Sequence, residues 1–556
     1  MASREVMKDM RAGIRASAAV LLAFGLAAGT GVLAQDRPTL ELTLDEAVKR
    51  ALENNADLAV ERYNPELSGE DVRAAEGYYD PFVFANLSRS STDTKGTTFF
   101  SGGDIVNTKT NVWNFGLGLP VKSGAQLEVS FNNNKRDTNN AFTSFNPIYN
   151  SFLGFNLNQP LLKNFRIDAP RQQLRVAKKN REISDVQFRQ AVINTVATAK
   201  FYYYDLLYAI DNLEATRTNL GLAKKLLGEN EIRVKVGTMA PLDVVTAQSE
   251  VASREEGVIV AENALAEAED NLKRAIFPLN DPSMWALRIV PTDRPSAEPV
   301  PVDIDAAVRS ALQNRTDVVS ARKGLERADY NLAYARNQLL PRLDLVAGYG
   351  GAGAGGTQLI RDPEIGGPVV DTIPGGYGDA LGEVYGFDFP TWTLGFNVSY
   401  AIPNRTDKAL AAQARISKDQ ALASFRRLEL QVAAEVRTAG RGVESGFKRV
   451  ASTQAARVLA EQRLDAEEKK FDAGMSTNFL VTQAQRDLQT ARVNELQAVG
   501  DYRKSIVNFQ RVQEAGLSGT GAVAVLTTGT GQAGQALRSS QAAASVAQAS
   551  SGGQSF

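Results

Sequence analysis

The chain has no cysteine and no histidine among its 556 residues. Without cysteine there are no disulfides, no thiolate metal sites and no thiol catalysis. Without histidine the usual neutral-pH acid/base and the commonest metal ligand are missing, and a Ser-His-Asp triad cannot be built. Excess charge is absent too: 62 basic against 63 acidic residues leave a formal net charge of −1. No global field draws the chain to nucleic acid. Beyond the N-terminal segment, no stretch approaches the ~20 apolar residues that a membrane helix needs. Any crossing of a bilayer therefore falls to β-strands. Carboxylate or lysine chemistry stays open, but no pair of carboxylates stands in a recognisable catalytic frame. Neither an enzyme activity nor a metal or cofactor is expected.

The N-terminus reads as an export signal. Arg4, Lys8, Arg11 and Arg15 precede an apolar run from Ala16 to Ala28. Val32-Leu33-Ala34 before Gln35 supplies a small-residue cleavage site, so residues 1–34 are expected to be removed. A retained N-terminal anchor is the alternative, though the run is short for a membrane span. With no cysteine near the cut, a lipoprotein anchor is excluded.

The chain also repeats itself. Leu44-Asp45-Glu46-Ala47-Val48-Lys49-Arg50-Ala51-Leu52-Glu53-Asn54 returns as Ile304-Asp305-Ala306-Ala307-Val308-Arg309-Ser310-Ala311-Leu312-Gln313-Asn314. In the same ungapped register Asp57 matches Asp317, Arg62 matches Arg322 and Pro81 matches Pro341. Further on, Leu153-Gly154-Phe155-Asn156 matches Leu394-Gly395-Phe396-Asn397. Gly237, with Pro241-Leu242 after it, matches Gly474 with Asn478-Phe479. Two tandem copies are expected, at 40–280 and 301–515, joined by a Pro-rich linker at 281–300. The Ala/Gly/Ser/Thr/Gln-rich tail 516–556 reads as disordered by composition.

Residues 172–236 lack proline, and Ile183, Val186, Ile193, Val196, Tyr203, Leu206, Ile210 and Leu213 step by threes, fours and sevens. That is a heptad seam on a helix ~95 Å long. Such a helix needs a partner of equal length. Segments 242–277 and 316–340 are each too short alone, but end to end they reach ~92 Å. In the second copy 405–473 is long, while 479–515 and 57–80 are short. Stacked pairs of short helices are thus predicted to complement each long one and close the chain into a hollow helical wall. Pro65 and Gly69 predict a kink in 57–80.

Between the helices the pattern has period two. Trp392, Leu394, Phe396, Val398 and Tyr400 share one face and Thr393, Gly395, Asn397 and Ser399 the other. Leu343, Leu345, Ala347 and Tyr349, then Trp113, Phe115, Leu117 and Leu119, then Leu127, Val129 and Phe131 alternate likewise, with shorter runs at 82–87 and 153–157. Ten-residue segments, apolar outside and polar inside, mark an outer-membrane barrel. A soluble sandwich with one wet face gives the same alternation; the export signal and the repeat favour the barrel. Segments 88–111, 132–150 and 350–390, rich in small polar residues, read as long loops.

Three stretches resemble binding sites. Gly348-Tyr349-Gly350-Gly351-Ala352-Gly353 fits the dinucleotide pattern, yet Arg361-Asp362-Pro363 follows where a helix should begin. It reads as a flexible loop. The basic cluster from Arg171 to Arg181 and the acidic run from Glu262 to Asp270 read as solvated helix faces, the first near the inner-membrane surface.

Two copies of helix, strands, long helix, turn and helix behind an export signal resemble the TolC-like outer-membrane efflux family. The two openings at 44–54 and 304–314, Pro81 and Pro341 before strands, and the turns at Gly237 and Gly474 carry the likeness, over nearly all of 40–515. The resemblance implies a mixed α and β membrane protein: a homotrimer whose outer-membrane β-barrel continues into a long periplasmic α-helical barrel. It implies an outer-membrane channel subunit of a tripartite efflux or type I secretion system, a passive duct through lipid. Its partners would be a periplasmic adaptor (a membrane fusion protein) and, through it, an inner-membrane pump or ATPase. The periplasmic tips and adaptor contacts would be Gly237, Pro241, Leu242, Asp243, Gly474, Asn478 and Phe479.

The sequence departs from that family twice. Family protomers contribute four strands, whereas here the first copy offers four and the second two. Either six strands per protomer make a wider barrel, or a hairpin around 112–132 lies on the surface of a four-strand contribution. In the family's enteric prototype, acids six and nine residues after the second turn glycine ring the entrance; those positions here are Leu480 and Gln483, and the first turn keeps Asp243 at the six-residue spacing. A periplasmic or surface coiled-coil scaffold without a pore is the rival reading; a carboxylate hydrolase would need an acidic pair that is not seen.

Overall fold

Two long α-helices set the scale of the molecule, and everything else in the helical part is cut to their length. A computed structural model describes residues 38–97, 103–278, 281–294, 297–362 and 367–515. The expected export signal with its Ala34–Gln35 cut and the tail 516–556 lie outside the described residues. The first half runs β1 (Thr39–Leu42), α1 (Leu44–Asn54), α2 (Ala56–Glu61), α3 (Tyr63–Glu76), β2 (Phe82–Lys95), β3 (Ile105–Pro120), β4 (Gln126–Thr138), β5 (Phe145–Pro160), α4 (Ala169–Lys235) and α5 (Pro241–Ile276). After β6 (Arg288–Pro291) come α6 (Ile304–Asn314), α7 (Thr316–Gln338), β7 (Arg342–Arg361), β8 (Val369–Ile373), α8 (Tyr377–Gly386), β9 (Phe389–Ser399), α9 (Arg405–Asp472) and α10 (Asn478–Glu514).

The repeat is visible in how helix ends are satisfied. Thr43 Oγ1 accepts from Glu46 N at 3.2 Å and the Asp303 carboxylate accepts from Ala306 N at 2.9 Å, capping α1 and α6 alike. Asn55 Nδ2 donates to Ala275 O near the end of α5; its counterpart Arg315 donates to Val512 O near the end of α10. The same anchor joins the same two elements in each copy. Asp168 caps α4 through Arg171 N at 2.9 Å, with a proline in the first turn.

α4 measures 67 residues and α9 measures 68. Along α4, α3 and α5 lie end to end on one side; α7 and α10 lie end to end between α4 and α9. Stacked short helices do complement long ones, but the partners differ from expectation. The 57–80 segment packs on α4, not on the second long helix, and α9 takes α7 and α10. One chain is consequently an open slab with α3 and α5 at one margin and α9 at the other. It does not close on itself. The break in 57–80 falls at Arg62, between α2 and α3. Pro65 thereby enters the first turn of α3, where an N–H has no intrahelical acceptor to lose.

The seam of α4 is the core: Tyr203, Leu206 and Leu213 are buried, and Tyr203 donates its hydroxyl to Leu42 O at 3.2 Å. A second core gathers Ala311, Val318, Val432, Val436 and Val512. Arg315, 1% exposed, crosses its edge. Its guanidinium meets the Glu435 carboxylate at 2.5 Å and that of Asp317 at 3.0 Å. The basic cluster is also partnered rather than free, and it sits beside the sheet. Arg171 pairs with Asp168, Lys178 with Glu76, Lys179 with Glu182 and Glu326, and Arg175 lies over Tyr330.

Strands β2 to β5 and β7 to β9 form one antiparallel sheet in the order β2-β3-β4-β5-β7, with β8 and β9 sharing the far side of β7, while β1 and β6 pair in parallel as a separate two-stranded sheet. Strands reach well into the segments expected as loops, leaving short connections at 121–125 and 139–144. Gly348–Gly353 is likewise not a loop but the middle of β7. Its glycines serve packing: side chains at Gly351, Gly353 and Gly355 would strike α8, an element the sequence reading missed.

Truncating Arg315→Ala strands two carboxylates at the junction of α6, α7, α9 and α10, and is expected to destabilise by about 3–5 kcal/mol. Arg73→Ala, which breaks an exposed pair with Glu70, should change stability by less than about 1 kcal/mol. Urea unfolding of the detergent-solubilised protein measures both; equal effects would remove Arg315 as an anchor.

Candidate functional site

Two surfaces stand out: the sheet and the paired ends of the helical hairpins. In a strand alternate side chains point to opposite faces, so the pairing register decides which residues share one. The register aligns Val83, Leu117, Val129, Phe155, Tyr349 and Trp392 in a single row across the six strand positions. With their same-face neighbours Leu87, Phe115, Leu127, Phe131, Leu153, Leu345, Leu394, Phe396 and Val398 they make one continuous apolar face. Val83, Leu87, Trp392, Leu394, Phe396 and Val398 are strongly exposed. An apolar surface of that extent requires a partner or a membrane.

The opposite face carries Asn86, Ser88, Asn114, Glu128, Ser130, Asn132, Asn156, Thr393 and Asn397 beside glycines. Phe84 lies over Gly116, Phe82 over Gly118 and Phe152 over Gly350, aromatic rings covering backbone where no side chain stands. Asp344, 2% exposed, meets Arg342 at 2.5 Å on this face. Among the described residues no helix is long and apolar enough to cross a membrane, and no acidic cluster suits a metal ion.

At the other end of the helices two hairpins turn alike. Gly237 (φ 78°) and Gly474 (φ 73°) adopt the left-handed conformation that favours glycine. Thr238 N donates to Arg233 O at 2.9 Å and Met475 N to Lys470 O at 2.8 Å, while Gly237 N and Gly474 N reach Val234 O and Phe471 O. Both are Schellman stops. Pro241 then opens α5, whereas Asn478 opens α10 and is buried. Asn478 accepts from Asn230 Nδ2 at 2.9 Å and donates to Asp243 O at 3.4 Å. It links the hairpins instead of facing outward, and so differs from its exposed counterpart Pro241.

Arg233 strengthens that link. It donates to Phe471 O at 3.1 Å and Asp472 Oδ1 at 3.0 Å, with its guanidinium 4.1 Å from the Phe471 ring. Farther from the tip, Glu250 is gripped by Arg486 and Arg254, which hold its carboxyl below the usual glutamate range against the opposing effect of burial. None of Asn230, Arg233, Phe471 or Glu250 was singled out from sequence. Comparing the copies at the turn spacing, where Asn478 replaces Pro241, is the signal that could have found them.

Leu242 and Phe479 occupy matching positions and are 73% and 67% exposed, beside Met475 at 75%. Asp243 lies half-buried in the first turn of α5. At the expected acid positions of the second tip, Leu480 is partly exposed and Gln483 donates to Asp487 Oδ1 at 2.8 Å.

Known proteins share this plan. Residues 125–276 and 307–512 match the family described as outer membrane efflux protein. The outer membrane protein TolC of Vibrio cholerae is 24% identical over 344 residues, 61% of this chain and 72% of that protein. The outer membrane efflux protein BepC of Brucella suis is 23% identical over 492 residues, 87% of this chain and 86% of that protein. In fold, the crystal structure of the CmeC outer membrane channel of Campylobacter jejuni superposes with a TM-score of 0.59 at 17% identity, over 84% of this chain and 85% of that one. The chain belongs to the outer membrane efflux protein family, as a channel subunit seated in the outer membrane with a periplasmic helical part.

Proposed function

We infer that three copies assemble into a passive export duct, with a β-barrel in the outer membrane and an α-helical tunnel through the periplasm. The observation that carries this reading is the open slab with an apolar sheet face. One chain leaves strands β2 and β9 at the sheet edges and α3, α5 and α9 at the helical margins. Val60, Tyr63 and Leu67 at one margin and Leu410, Ile416 and Leu430 at the other are exposed. A cyclic set of copies covers them and leaves the polar sheet face around water. Nothing in the duct makes or breaks a bond; movement of solute is energised by partners.

The hairpin ends at Gly237–Asp243 and Gly474–Phe479 are the periplasmic tips. Leu242 and Phe479 are the anchors for a periplasmic adaptor, which couples the duct to an inner-membrane pump or secretion ATPase. Gly237, Gly474 and Pro241 shape the turns, and Asn478 keeps the two tips in one plane. Asp243 from each copy supplies a ring of negative charge near the entrance.

The assembly is tested by extracting the full-length protein from membranes. An unheated sample should migrate as a trimer, collapse to monomer on heating and conduct ions in planar bilayers; a soluble monomer without conductance contradicts the duct. Leu242→Asp with Phe479→Asp should leave the trimer intact yet weaken adaptor binding by about 30-fold or more, the effect of losing exposed apolar anchors. Asp243→Asn should abolish cation preference in single-channel recordings, and unaltered selectivity removes the ring. Because the Glu250 carboxyl is held below its ordinary value of 4.5, its link to Arg486 contributes fully above that value and is lost as pH falls through the folded one. Hydrogen exchange at 478–490 should accelerate below about pH 4.5, and Glu250→Gln should flatten that acid dependence.

A further inference from the structure

The apolar belt of the sheet does not run level with the hydrogen-bonded rows. It drifts. In the row Val83–Leu117–Val129–Phe155–Tyr349–Trp392, Val83 is the belt's lowest residue on β2, counted from the helices, with Ala85 and Leu87 beyond it. On β4 and β5 the same row passes through the middle of the belt, with Leu127 and Leu157 below and Phe131 and Leu153 above. On β7 and β9 it meets the top: below Tyr349 lie Ala347, Leu345 and Leu343, and below Trp392 lie Leu394, Phe396 and Val398.

Pro390 of β9 is level with Ala85, the centre of the belt on β2, whereas the belt on β9 is centred on Gly395. That is five residues over five strand-to-strand steps, or one residue per step. With a rise of ~3.4 Å per residue and a strand spacing of ~4.8 Å, a level membrane then meets strands tilted by about 35°. Strands of outer-membrane barrels tilt by about 35–45°. β3 and β4 fall on the same line as their neighbours. A hairpin lying outside the membrane has no reason to keep its apolar residues in step with strands on both sides.

Resting on the trimeric duct above, we propose that all six strand positions of each copy span the outer membrane, so that three copies close a barrel of eighteen strands. The edges fit. β2 runs away from the helices and β9 returns toward them, so β9 of one copy meets β2 of the next antiparallel, as every other neighbouring pair in the sheet does. Open edges do not persist in hydrocarbon, because their N–H and C=O groups have no partner there. Eighteen strands at this tilt give a backbone diameter of about 34 Å, against about 23 Å for twelve. The occupant of each edge is a second copy of this chain, and the extra width sets the largest solute that passes the outer membrane.

The test is depth-resolved tryptophan fluorescence of the full-length protein in vesicles of ordinary or brominated phosphatidylcholine. Trp113, Trp285 and Trp392 are replaced by phenylalanine, and one tryptophan is returned as Val129→Trp on β4 or Phe396→Trp on β9. Brominated chains should quench both by about half or more, as for residues facing lipid. Quenching of Phe396→Trp without Val129→Trp overturns the eighteen-strand barrel and leaves the duct standing; quenching of neither means that the membrane barrel itself fails. In this cysteine-free chain, Asn86→Cys with Asn114→Cys should also form a disulfide within one copy, since β2 pairs with β3. Its absence in folded trimers overturns the proposal as well.

Discussion

Within a bilayer core a backbone N–H or C=O finds no water, so a spanning segment must satisfy its polar groups with other protein. This constraint organises the chain. With no helix among the described residues apolar enough to cross, we assign the crossing to the strands, whose alternation separates one face for lipid from one for water. The long pairing registers from β2 to β9 satisfy the backbone across most of the sheet. What stays unsatisfied is confined to its two edges, and these, together with the helical margins, make the single chain an incomplete object.

The helical part answers a different constraint. A 67-residue helix in a protein draws most of its stability from apolar contact along its length. Duplication supplies it twice, because each long helix is matched by two shorter ones and the anchors recur, Asn55 to α5 and Arg315 to α10. The copies then diverge where their tasks differ. At the tips the proline of one hairpin corresponds to the buried asparagine of the other, and the pair is tied by Arg233 and Phe471. The apolar side chains left outside, Leu242 and Phe479, are ones that folding alone does not explain.

Much of this was legible because it rests on periodicity. The heptad seam placed α4, the alternating residues placed the apolar sheet face, and the recurring openings and glycines marked helix starts and turns. Composition misled where strands leave the lipid. The outer parts of β2, β3 and β7 need no apolar residues, so serine, threonine, asparagine and glycine read as loop although they pair for many residues. The glycines of β7 fit a nucleotide motif by coincidence of spacing; their use is to seat α8. Contacts between distant segments, such as Asn230 with Asn478 or Arg486 with Glu250, leave no local pattern, and the partner of α3 could not be chosen from lengths alone. The Arg62 break was misplaced because proline was read as a kink rather than as a first-turn residue.

The central claim is that these strands turn their apolar side to lipid while the helices of several copies surround water. Electron cryomicroscopy of the full-length protein in lipid nanodiscs tests it most directly. A threefold ring is expected, its strands against the lipid belt and one continuous solvent-filled passage running from the barrel to the Gly237 and Gly474 tips. Helices packed about a dry interior, or the Trp392 face covered by protein, would contradict it.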